Sequence, residues 1–343
     1  MAVRLKDIAE ETGFSINTVS LALQSSSRIS ASTRQIIENA AKRLHYIPNS
    51  TTRFHAAHKR EYRSIAFVVP ELVGQIQMQV AQAISDRLEA KGYFLQVASC
   101  KEYGEIKTLK FLHSQGVEGF FMFPMTPFDL RLLECVRESD VPIVFLSFGA
   151  DLELVTDAVY VDRMQASYIV TRHLLELGHR RIMYIANASH SIQQMLDVER
   201  YHGHVKALNE YGLEYDPNYT FLCDHPDLKK GYESAKTMIR RTDATALYCT
   251  NDPMASGALS YLLQKGKRVP QDYSIVSNDS TEVARFASVP ITASVYPVQE
   301  LADKAAEIML LRIEQPQDPT PSQRIAIPVT LDIRESTGAP RTN

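Results

Sequence analysis

The sequence contains no tryptophan and only four cysteines among its 343 residues. Cys100, Cys135, Cys223 and Cys249 stand far apart, and no two of them form a C-x-x-C pair. This spacing is typical of reduced, mostly buried thiols rather than of a disulfide framework. No apolar run reaches the 18 residues needed to cross a bilayer, and no signal-peptide pattern precedes the first predicted helix. We therefore expect a cytoplasmic protein that does not enter a membrane.

Signatures of nucleotide-dependent or metal-dependent enzymes are also missing. The segment VVPELVGQ after the first predicted strand offers only Gly74, so it is not a G-x-G-x-x-G loop, and GKR at 266–268 lacks the flanking residues of a phosphate loop. His202 and His204 stand two residues apart on a predicted helix, where they point about 200° from one another and make a poor metal pair. We expect no cofactor, no metal and no catalytic residues.

The charge is distributed unevenly along the chain. Residues 1–63 hold ten Lys/Arg and five Asp/Glu, a net charge of +5, whereas residues 64–343 hold 27 and 35, a net charge of −8. A basic head on an acidic body indicates that the head binds the phosphates of a nucleic acid and that the body has another task.

Three short amphipathic helices are predicted within residues 4–48. The inward-facing residues that helical spacing assigns are Leu5, Ile8, Ala9 and Thr12, then Val19 and Leu23, then Ile36, Ile37, Ala40 and Leu44. Gly13 is expected to end the first helix in the left-handed conformation, and Ser15 and Ser30 are placed to cap the next two. The succession predicts a helix-turn-helix with a supporting helix, which lays its second helix in the major groove of DNA. A three-helix core without any ligand is the alternative.

The rest of the chain alternates short apolar runs with helical patterns. Examples are SIAFVVP followed by VAQAISDRLEAKG, and RIMYIAN followed by VERYHGHVKALNEYG. Such alternation predicts parallel sheets with helices on both faces. We expect two sheets, with the chain crossing between them near residues 160 and 290, and a ligand cleft at the carboxyl ends of the strands. The predicted fold is an all-α helix-turn-helix head and a two-lobed α/β body.

Several segments carry a resemblance to a known family. DIAEETGFSINTVSLAL and RISASTRQIIENAAKRLHYIPN are similar to the N-terminus of the lactose-repressor (LacI/GalR) family of bacterial transcription regulators. The similarity continues through LLELGHRRIMYI, TALYCTNDPMASGAL, VPQDYSIVSND, PVQELADKAAEIMLLRIE and RESTGAP, in family order. It implies a helix-turn-helix domain at 1–47, a hinge at 48–63 and a periplasmic-binding-protein-like body at 64–343. The lobes would comprise about 64–160 with 291–325, and about 161–290 with 326–340.

The resemblance implies a transcription regulator, most simply a repressor, that binds double-stranded DNA at a near-palindromic operator as a homodimer. A small metabolite between the lobes would control operator affinity. A tetramer is not expected, because no leucine-heptad segment follows RESTGAP. Two alternatives stay open: a metabolite-binding module without a role on DNA, and an enzyme built on the same architecture.

The resemblance also implies which residues of the head contact DNA. Ile16 and Asn17 would read base edges, since asparagine pairs bidentately with adenine and an aliphatic side chain packs on the thymine methyl. Leu21 stands where most members have an arginine, so a guanine contact is lost. Four further residues would bind phosphate groups: Ser15, Thr18, Ser20 and Arg28. Leu5 is also a candidate DNA contact.

Residues 47–58 occupy the position of the family's hinge helix, which inserts a leucine into the minor groove. Asn49 and Arg53 match the pattern, but the wedge position holds His55, with Phe54 beside it. Either ring could kink the duplex by inserting between bases. A flexible linker is the alternative, because residues 50–52 (Ser-Thr-Thr) are mediocre helix formers.

The effector pocket implied by the resemblance contains Arg200, Asn251 and Asp279, with Asp162 at its edge, Gln75 in place of an aromatic segment and Ser147 in place of an acid. Arg163 follows Asp162 where asparagine is common. Asn251 and Asp252 could instead cap the helix that begins near Pro253. A carbohydrate or sugar derivative is the expected effector; a nucleoside, a phosphorylated metabolite or no ligand stays open.

Overall fold

The computed structural model describes residues 5–23, 28–44, 46, 63–72, 74–123, 131–137, 141–146, 156–187, 198–224, 226–316 and 320–341. The chain forms two compact units, Met1–Arg63 and Ser64–Asn343, which we call the head and the body.

The head contains three helices: α1 (Leu5–Thr12), α2 (Ile16–Leu23) and α3 (Ala31–Arg43). Gly13 ends α1 with a φ of 71°, a conformation that costs a residue without Cβ little. Ser15 Oγ accepts a hydrogen bond from the Thr18 N–H at 3.1 Å, and Ser30 Oγ accepts one from Thr33 N–H at 3.2 Å. These bonds satisfy amide groups that have no partner within their own helix. The predicted turn and caps are confirmed.

The core of the head differs in part from the predicted stripes. The fully buried residues are Ile8, Val19, Ala22, Ile37 and Ala40. The prediction that Ile36 is buried is wrong, since its side chain is 52% exposed. At 100° per residue, Ile36 lies about 70° from the centre of the stripe that contains Ile37, Ala40 and Leu44, at its border.

The first lobe of the body is built on a six-stranded sheet in the order β11-β5-β4-β3-β1-β2. Its strands are β1 (Arg63–Val69), β2 (Tyr93–Ser99), β3 (Phe120–Met122), β4 (Ile143–Leu146), β5 (Asp157–Val161) and β11 (Arg324–Ile327). Its helices are α4 (Gln75–Glu89), α5 (Glu105–Ser114), α6 (Arg131–Arg137) and α12 (Val298–Glu314). Five consecutive residues of β1 are buried, as expected of a parallel strand covered on both faces.

The second lobe contains a sheet in the order β12-β10-β9-β8-β6-β7. Its strands are β6 (Ile182–Asn187), β7 (Thr220–Cys223), β8 (Ala246–Cys249), β9 (Ser274–Asp279), β10 (Thr292–Val295) and β12 (Thr330–Asp332). Its helices are α7 (Arg163–Glu176), α8 (Val198–Glu210), α9 (Leu228–Arg241), α10 (Asp252–Gln264) and α11 (Glu282–Arg285). The edge strand β12 pairs antiparallel with β10, and the other recorded pairings are parallel.

The chain passes between the lobes at three points. It leaves β5 for α7 at Asp162, leaves β10 for α12 at 296–297, and leaves β11 for β12 at 328–329. The predicted second crossing at residue 291 is therefore too early. Residues 292–295 pair with β9, because their backbone extends the ladder of the second sheet at the register Thr292 opposite Val276.

None of the described helices is long and apolar enough to cross a membrane. Among the same residues, no group of three or more His, Cys, Asp or Glu side chains is placed to hold a metal ion.

Candidate nucleic-acid interface and effector cleft

The amino end of α2 presents short polar and aliphatic side chains to solvent. Ile16 is 51% exposed, and Ser15 and Asn17 are also exposed. The Ser15 and Thr18 hydroxyl groups lie 2.8 Å apart. A helix end with an exposed amide, an exposed aliphatic side chain and two hydroxyls has the chemical groups that base-edge and phosphate contacts require.

The other candidate contacts of the head fall into three groups. Ser20 and Leu21 are half-buried on α2, and Arg28 is exposed before α3. Leu5 packs half-buried against the core of the head. The hinge candidates Asn49, Arg53, Phe54 and His55 lie outside the described residues.

A cleft of about 580 Å³ opens in the body at the carboxyl ends of strands from both sheets. Phe123 follows β3, Asn251 follows β8, Asp279 ends β9, and Tyr296 follows β10. Its lining comprises Glu71, Gly74, Gln75, Ile76, Gln77, Phe123, Arg163, Arg200, Pro226, Asp227, Asn251, Pro253, Asp279, Thr281 and Tyr296. The volume lies in the range that encloses a small organic ligand.

Four of the six predicted effector residues come together in this cleft: Gln75, Arg200, Asn251 and Asp279. Asp162 is absent from the described lining. Its Oδ1 accepts a hydrogen bond from the Gln165 N–H at 2.7 Å and so caps α7. Ser147 lies outside the described residues.

Arg200 and Asp279 form a partly buried ion pair across the floor of the cleft. Arg200 Nη2 lies 3.2 Å from Asp279 Oδ1, and the two side chains are 14% and 15% exposed. The Asp279 backbone has a φ of 87°, and Ser280 follows at 54°. Consecutive non-glycine residues in the left-handed region are uncommon, and such strain is concentrated at ligand-binding sites. The turn aims the Asp279 carboxylate at the cleft instead of continuing the strand.

Asp252 is fully buried behind this floor, and the sequence did not single it out for the cleft. Ser277 Oγ donates to its Oδ1 at 2.5 Å, while Thr281 N–H and Oγ–H donate to Oδ2 at 2.6 and 2.7 Å. Burial, followed by the charge of Asp279, raises the pKa of Asp252 to about 7. The carboxyl group ties the first turn of α10 to the turn that carries Asp279.

Asn251 performs the capping role that was the alternative to a ligand contact. Its Oδ1 accepts a hydrogen bond from Met254 N–H at 2.9 Å, and its Nδ2 donates to the Pro226 carbonyl at 2.7 Å. Both ends of the amide are therefore used in the protein, although the side chain also borders the cleft.

A buried polar cluster extends from the floor into the second lobe. Asn278 Nδ2 donates to Tyr248 Oη, and Asn278 Oδ1 accepts from Ser294 Oγ, both at 2.7 Å. Tyr248 packs beside His204, which stacks on Tyr184 at 4.8 Å between ring centroids. Burial lowers the pKa of His204 to about 3. The cluster connects β9 at the cleft to the packing of α8.

Several lining residues were not predicted, among them Glu71, Phe123, Thr281 and Tyr296. Phe123 and Tyr296 each stand directly after a strand of the structure, β3 and β10. The rule that ligands bind beyond the carboxyl ends of parallel strands would have found both.

A second groove of about 600 Å³ lies on the outer side of α7 and α8, lined by Met164, His202, Val205, Lys206, Asn209 and Glu210. It is formed by two helices alone and receives no strand end. The cleft between the lobes is the better candidate because groups from many strand ends and helix starts converge there.

Two family models match the chain. "Bacterial regulatory proteins, lacI family" matches residues 4–49, and "Periplasmic binding protein-like domain" matches residues 171–337. The first match contains the helix-turn-helix, and the second contains most of the second lobe.

Curated proteins and solved structures agree with these matches. The chain is 28% identical to the transcriptional repressor PurR of Pasteurella multocida, over 91% of this chain and 92% of that protein. It is 28% identical to the repressor CytR of Escherichia coli, over 92% and 90%. The complex of the transcriptional regulator CelR with cellobiose is 26% identical, with a TM-score of 0.69, over 97% and 99%. The lac repressor dimer bound to operator has the same fold, at 24% identity and a TM-score of 0.72, over 99% and 100%.

Proposed function

The chain belongs to the LacI/GalR family of bacterial transcription regulators, and we propose from this premise that it is a repressor that a small metabolite controls. The observation that carries the proposal is that one chain contains both an exposed α2 amino end on a basic head and a polar cleft in its body. Acting on DNA, the protein works in the cytoplasm, at the nucleoid when bound to its operator. It is a regulator and not an enzyme.

We assign sequence reading to Asn17 and Ile16. The Asn17 amide accepts from and donates to adenine, and Ile16 packs on a thymine methyl. Ser15, Thr18, Ser20 and Arg28 bind phosphates and fix the register. Leu21 adds apolar contact and no guanine-reading donor, so the operator differs from sites that depend on an arginine there.

For the hinge we retain the proposal that Asn49 and Arg53 support a helix that forms on DNA. Phe54 or His55 then enters the minor groove, and unstacking of one base step kinks the duplex. A circular permutation assay on operator fragments tests this, and an unbent operator would contradict it.

We propose that the effector is a sugar or a sugar derivative bound in the cleft. Arg200, Asp279 and Gln75 provide the converging donors and acceptors that hydroxyl groups require when they are buried. Phe123 and Tyr296 provide apolar surface for the ring faces of such a ligand. The complexes of CelR with cellobiose and of an Enterococcus faecium regulator with ribose support this class of ligand.

We propose that two bodies pair and place two heads on a near-palindromic operator, whose symmetry matches that of the protein dimer. Closure of the cleft on the effector then moves one lobe against the other and changes the placement of the hinges. This sequence of events couples effector binding to DNA affinity.

The test is selection of bound fragments from random-sequence DNA with the full-length protein. The selected site is then compared with a scrambled site of the same composition at several salt concentrations, since non-specific binding depends steeply on salt. We expect a near-palindrome that binds at least about 10³-fold more tightly than the scrambled site. Equal binding at every salt concentration would refute the proposal and favour a metabolite-binding module without a role on DNA.

A further inference from the structure

One short turn shapes the floor of the cleft. Asp279 and Ser280 lead from β9 to Thr281 with φ angles of 87° and 54°, and both Asp279 and Thr281 line the cleft. Non-glycine residues stay in this left-handed region only where the surrounding structure holds them there. The orientation of the two lining side chains therefore depends on groups that anchor the turn.

Asp252 anchors the turn from α10. The three hydrogen bonds that its carboxyl group accepts come from Ser277 and Thr281, which stand on either side of Asp279 in the chain. All three lead away from α10, whose cap is provided by Asn251. The Asp252 carboxyl group thus serves the turn and not its own helix.

Ser280 is anchored by a second element, the C-terminal strand. Ser280 Oγ donates to Asp332 Oδ2 at 3.3 Å and accepts a hydrogen bond from Arg334 Nη2. Asp332 ends β12, the strand that follows the last crossing of the chain between the lobes. The turn is therefore tied both to α10 and to a strand beside the crossing.

The placement of Asp252 is costly for stability. A carboxylate that is fully buried loses its hydration, and here a second carboxylate, that of Asp279, acts on it. An exposed aspartate in the first turn of α10 would be equally favourable for the helix dipole without this cost. Burial is explained if the carboxyl group has a task at the floor of the cleft.

We propose that Asp252 is a positioning residue of the effector cleft, which latches the 279–281 turn to α10 and so holds Asp279 and Thr281 in the orientation that binds the effector. Asp252 itself does not touch the effector, since it lies behind the floor. The inference rests on the proposed function, because it concerns the effector cleft of the same protein.

The charged groups around Asp252 determine how this latch responds to pH. The elements packed against α10 are α9, α11, β8 and β9. Asp279 of β9 is the carboxylate that acts on Asp252, and its ion-pair partner Arg200 comes from α8. β8 contributes Tyr248 and Cys249, and burial raises the pKa of the Cys249 thiol, so that it stays neutral. The charged side chains of α9 and α11, which include Glu282 and Arg285, are exposed except for Lys230, which pairs with Asp224.

The latch should loosen as the pH rises. Burial, followed by the charge of Asp279, raises the pKa of Asp252 from the ordinary 3.8 to about 7 in the closed turn. When the turn opens to water, the pKa returns towards its ordinary value. The closed turn thus holds the proton more tightly, so opening becomes easier as the pH rises towards 7, and the effect levels off above it. Between pH 6 and pH 8, opening should increase about tenfold.

Hydrogen–deuterium exchange of the full-length protein, resolved to single amides, tests the latch through the Thr281 N–H, which donates to Asp252. After correction for intrinsic exchange, its protection in the wild type should fall about tenfold from pH 6 to pH 8. Asp252→Ala should lose about tenfold or more of the protection at pH 6. Asp252→Asn can accept from Thr281 and donate to the Ser277 hydroxyl, so it should remain protected and lose the pH dependence.

Asp216 provides the matched control. It is an exposed aspartate outside the cleft that caps the short helix Pro217–Tyr219 by accepting a hydrogen bond from Asn218 N–H. Asp216→Ala and Asp216→Asn should leave both the protection of Thr281 and its pH dependence unchanged. The pH comparison with Asp252→Asn does not require Asp252→Ala to fold.

Calorimetry with ribose and cellobiose, the sugars in the solved complexes of two related regulators, measures the effect on the cleft. A sugar that binds the wild type should bind Asp252→Ala about tenfold or more weakly and Asp252→Asn within about threefold of the wild type. Equal affinity for the wild type and Asp252→Ala would overturn the inference. So would wild-type protection of Thr281 that does not change with pH, or that survives in Asp252→Ala.

The outcomes separate the latch from the proposed function. Failure of both sugars to bind would count against the proposed class of effector, while the exchange of Thr281 still decides whether Asp252 holds the turn. Failure to select an operator would overturn the repressor and leave the latch in place. An operator selected by a protein whose Thr281 protection is independent of Asp252 would leave the repressor and overturn the latch.

Discussion

Individual residues of the cleft combine a structural role with a position on the cleft lining. Asn251 caps α10 and borders the cleft, and Asp279 ends a strand in a strained conformation while pairing with Arg200. A substitution at either position changes local stability as well as affinity. For this reason, tests of function at the residue scale are best made where a side chain has few internal contacts, as at Asn17 in the head.

Asn17→Ala should weaken binding to the selected operator by about 1–3 kcal/mol, because it removes a bidentate pair with adenine. Binding to scrambled DNA should not change, since the phosphate contacts remain. Fluorescence anisotropy with both DNA fragments measures the two affinities. Asn39→Ala, at an exposed position of α3, is the control and should alter neither. Equal losses on both DNAs would show that Asn17 does not read sequence.

His204 predicts a pH dependence of stability in the body. Burial lowers its pKa from the ordinary 6.5 to about 3, so between these pH values the unfolded chain binds a proton that the folded chain does not. This contribution to stability is fully present above pH 6.5 and declines as the pH falls towards 3. Between pH 8 and pH 5 the free energy of unfolding of the wild type should fall by about 2 kcal/mol through this group. His204→Phe can retain the stack on Tyr184 and should not show this loss.

Urea unfolding at the two pH values measures this change, and the baseline loss of the Thr171 hydrogen bond cancels in the comparison. His113→Phe is the control, since His113 is exposed at the end of α5. A His204→Phe variant whose stability falls with acid as steeply as that of the wild type would contradict the assignment.

At the scale of helices, glycine determines how closely α9 and α10 approach. A Cβ on Gly257 would lie 1.9 Å from the Leu228 carbonyl oxygen, and a Cβ on Gly231 would lie 2.0 Å from the Met254 carbonyl oxygen. Each helix thus places a glycine against the backbone of the other. Neither carbonyl can yield without moving its helix, and α9 and α10 carry Asp227 and Asn251 at their starts.

Gly257→Ala should lower the free energy of unfolding by about 3 kcal/mol, because overpacking forces the two backbones apart. Helix propensity acts in the opposite direction, since alanine stabilises a helix by about 0.5–1 kcal/mol relative to glycine. The sign of the change in denaturant unfolding therefore shows which effect dominates, and a stabilised variant would contradict the close contact. Ser260→Ala, on the same helix, is the control and should change stability little.

The sequence predicts these helices well where the helical periodicity agrees with the residues that cap or end a helix. Gly13, Ser15 and Ser30 each terminate or cap a helix as predicted, because their roles depend on local backbone geometry alone. Ile36 was misplaced because it lies at the border of the helical stripe, where the pattern alone does not decide burial, and tertiary packing buries Ile37 instead.

The cleft was predictable only in part. Arg200 and Asp279 follow from the family resemblance, and Phe123 and Tyr296 could be found at strand ends. The role of Asp252 could not, because its partners Ser277 and Thr281 lie 25 and 29 residues away and meet it only after the second sheet forms. Asp162 shows the converse. Its side chain caps α7 by accepting a hydrogen bond from Gln165 N–H, three residues away, and it does not belong to the described lining.

For the whole molecule, exposed aromatic residues of the body predict where two copies pair. Phe94 is 53% exposed on β2, an edge strand of the first sheet, and Phe286 is 77% exposed after α11 in the second lobe. Large exposed apolar side chains, on an edge strand or elsewhere on the surface, favour association. Phe94→Asp and Phe286→Asp should each raise the dimer dissociation constant by about tenfold or more.

Sedimentation equilibrium measures that constant, and we expect the wild type to be a dimer and not a tetramer. Tyr211→Asp, which places the same charge at a partly exposed aromatic position after α8, is the control and should leave the dimer intact. Dimers unaffected by either phenylalanine substitution would place the interface elsewhere.

The last prediction concerns the coupling between the cleft and the heads. If effector and operator shift the same allosteric equilibrium of the protein, the effector changes operator affinity by about 5- to 150-fold, which corresponds to about 1–3 kcal/mol. Thermodynamic linkage then requires the operator to change effector affinity by the same factor, whichever direction the effect takes. Titrating effector into protein with and without saturating operator, and operator into protein with and without effector, gives the two factors independently.

Arg200→Gln should abolish effector binding and retain the operator affinity of the unliganded protein, because Arg200 belongs to the cleft and not to the head. Two unequal factors would show that effector and DNA do not act on one equilibrium, and equal factors of one would show that the cleft does not control the heads.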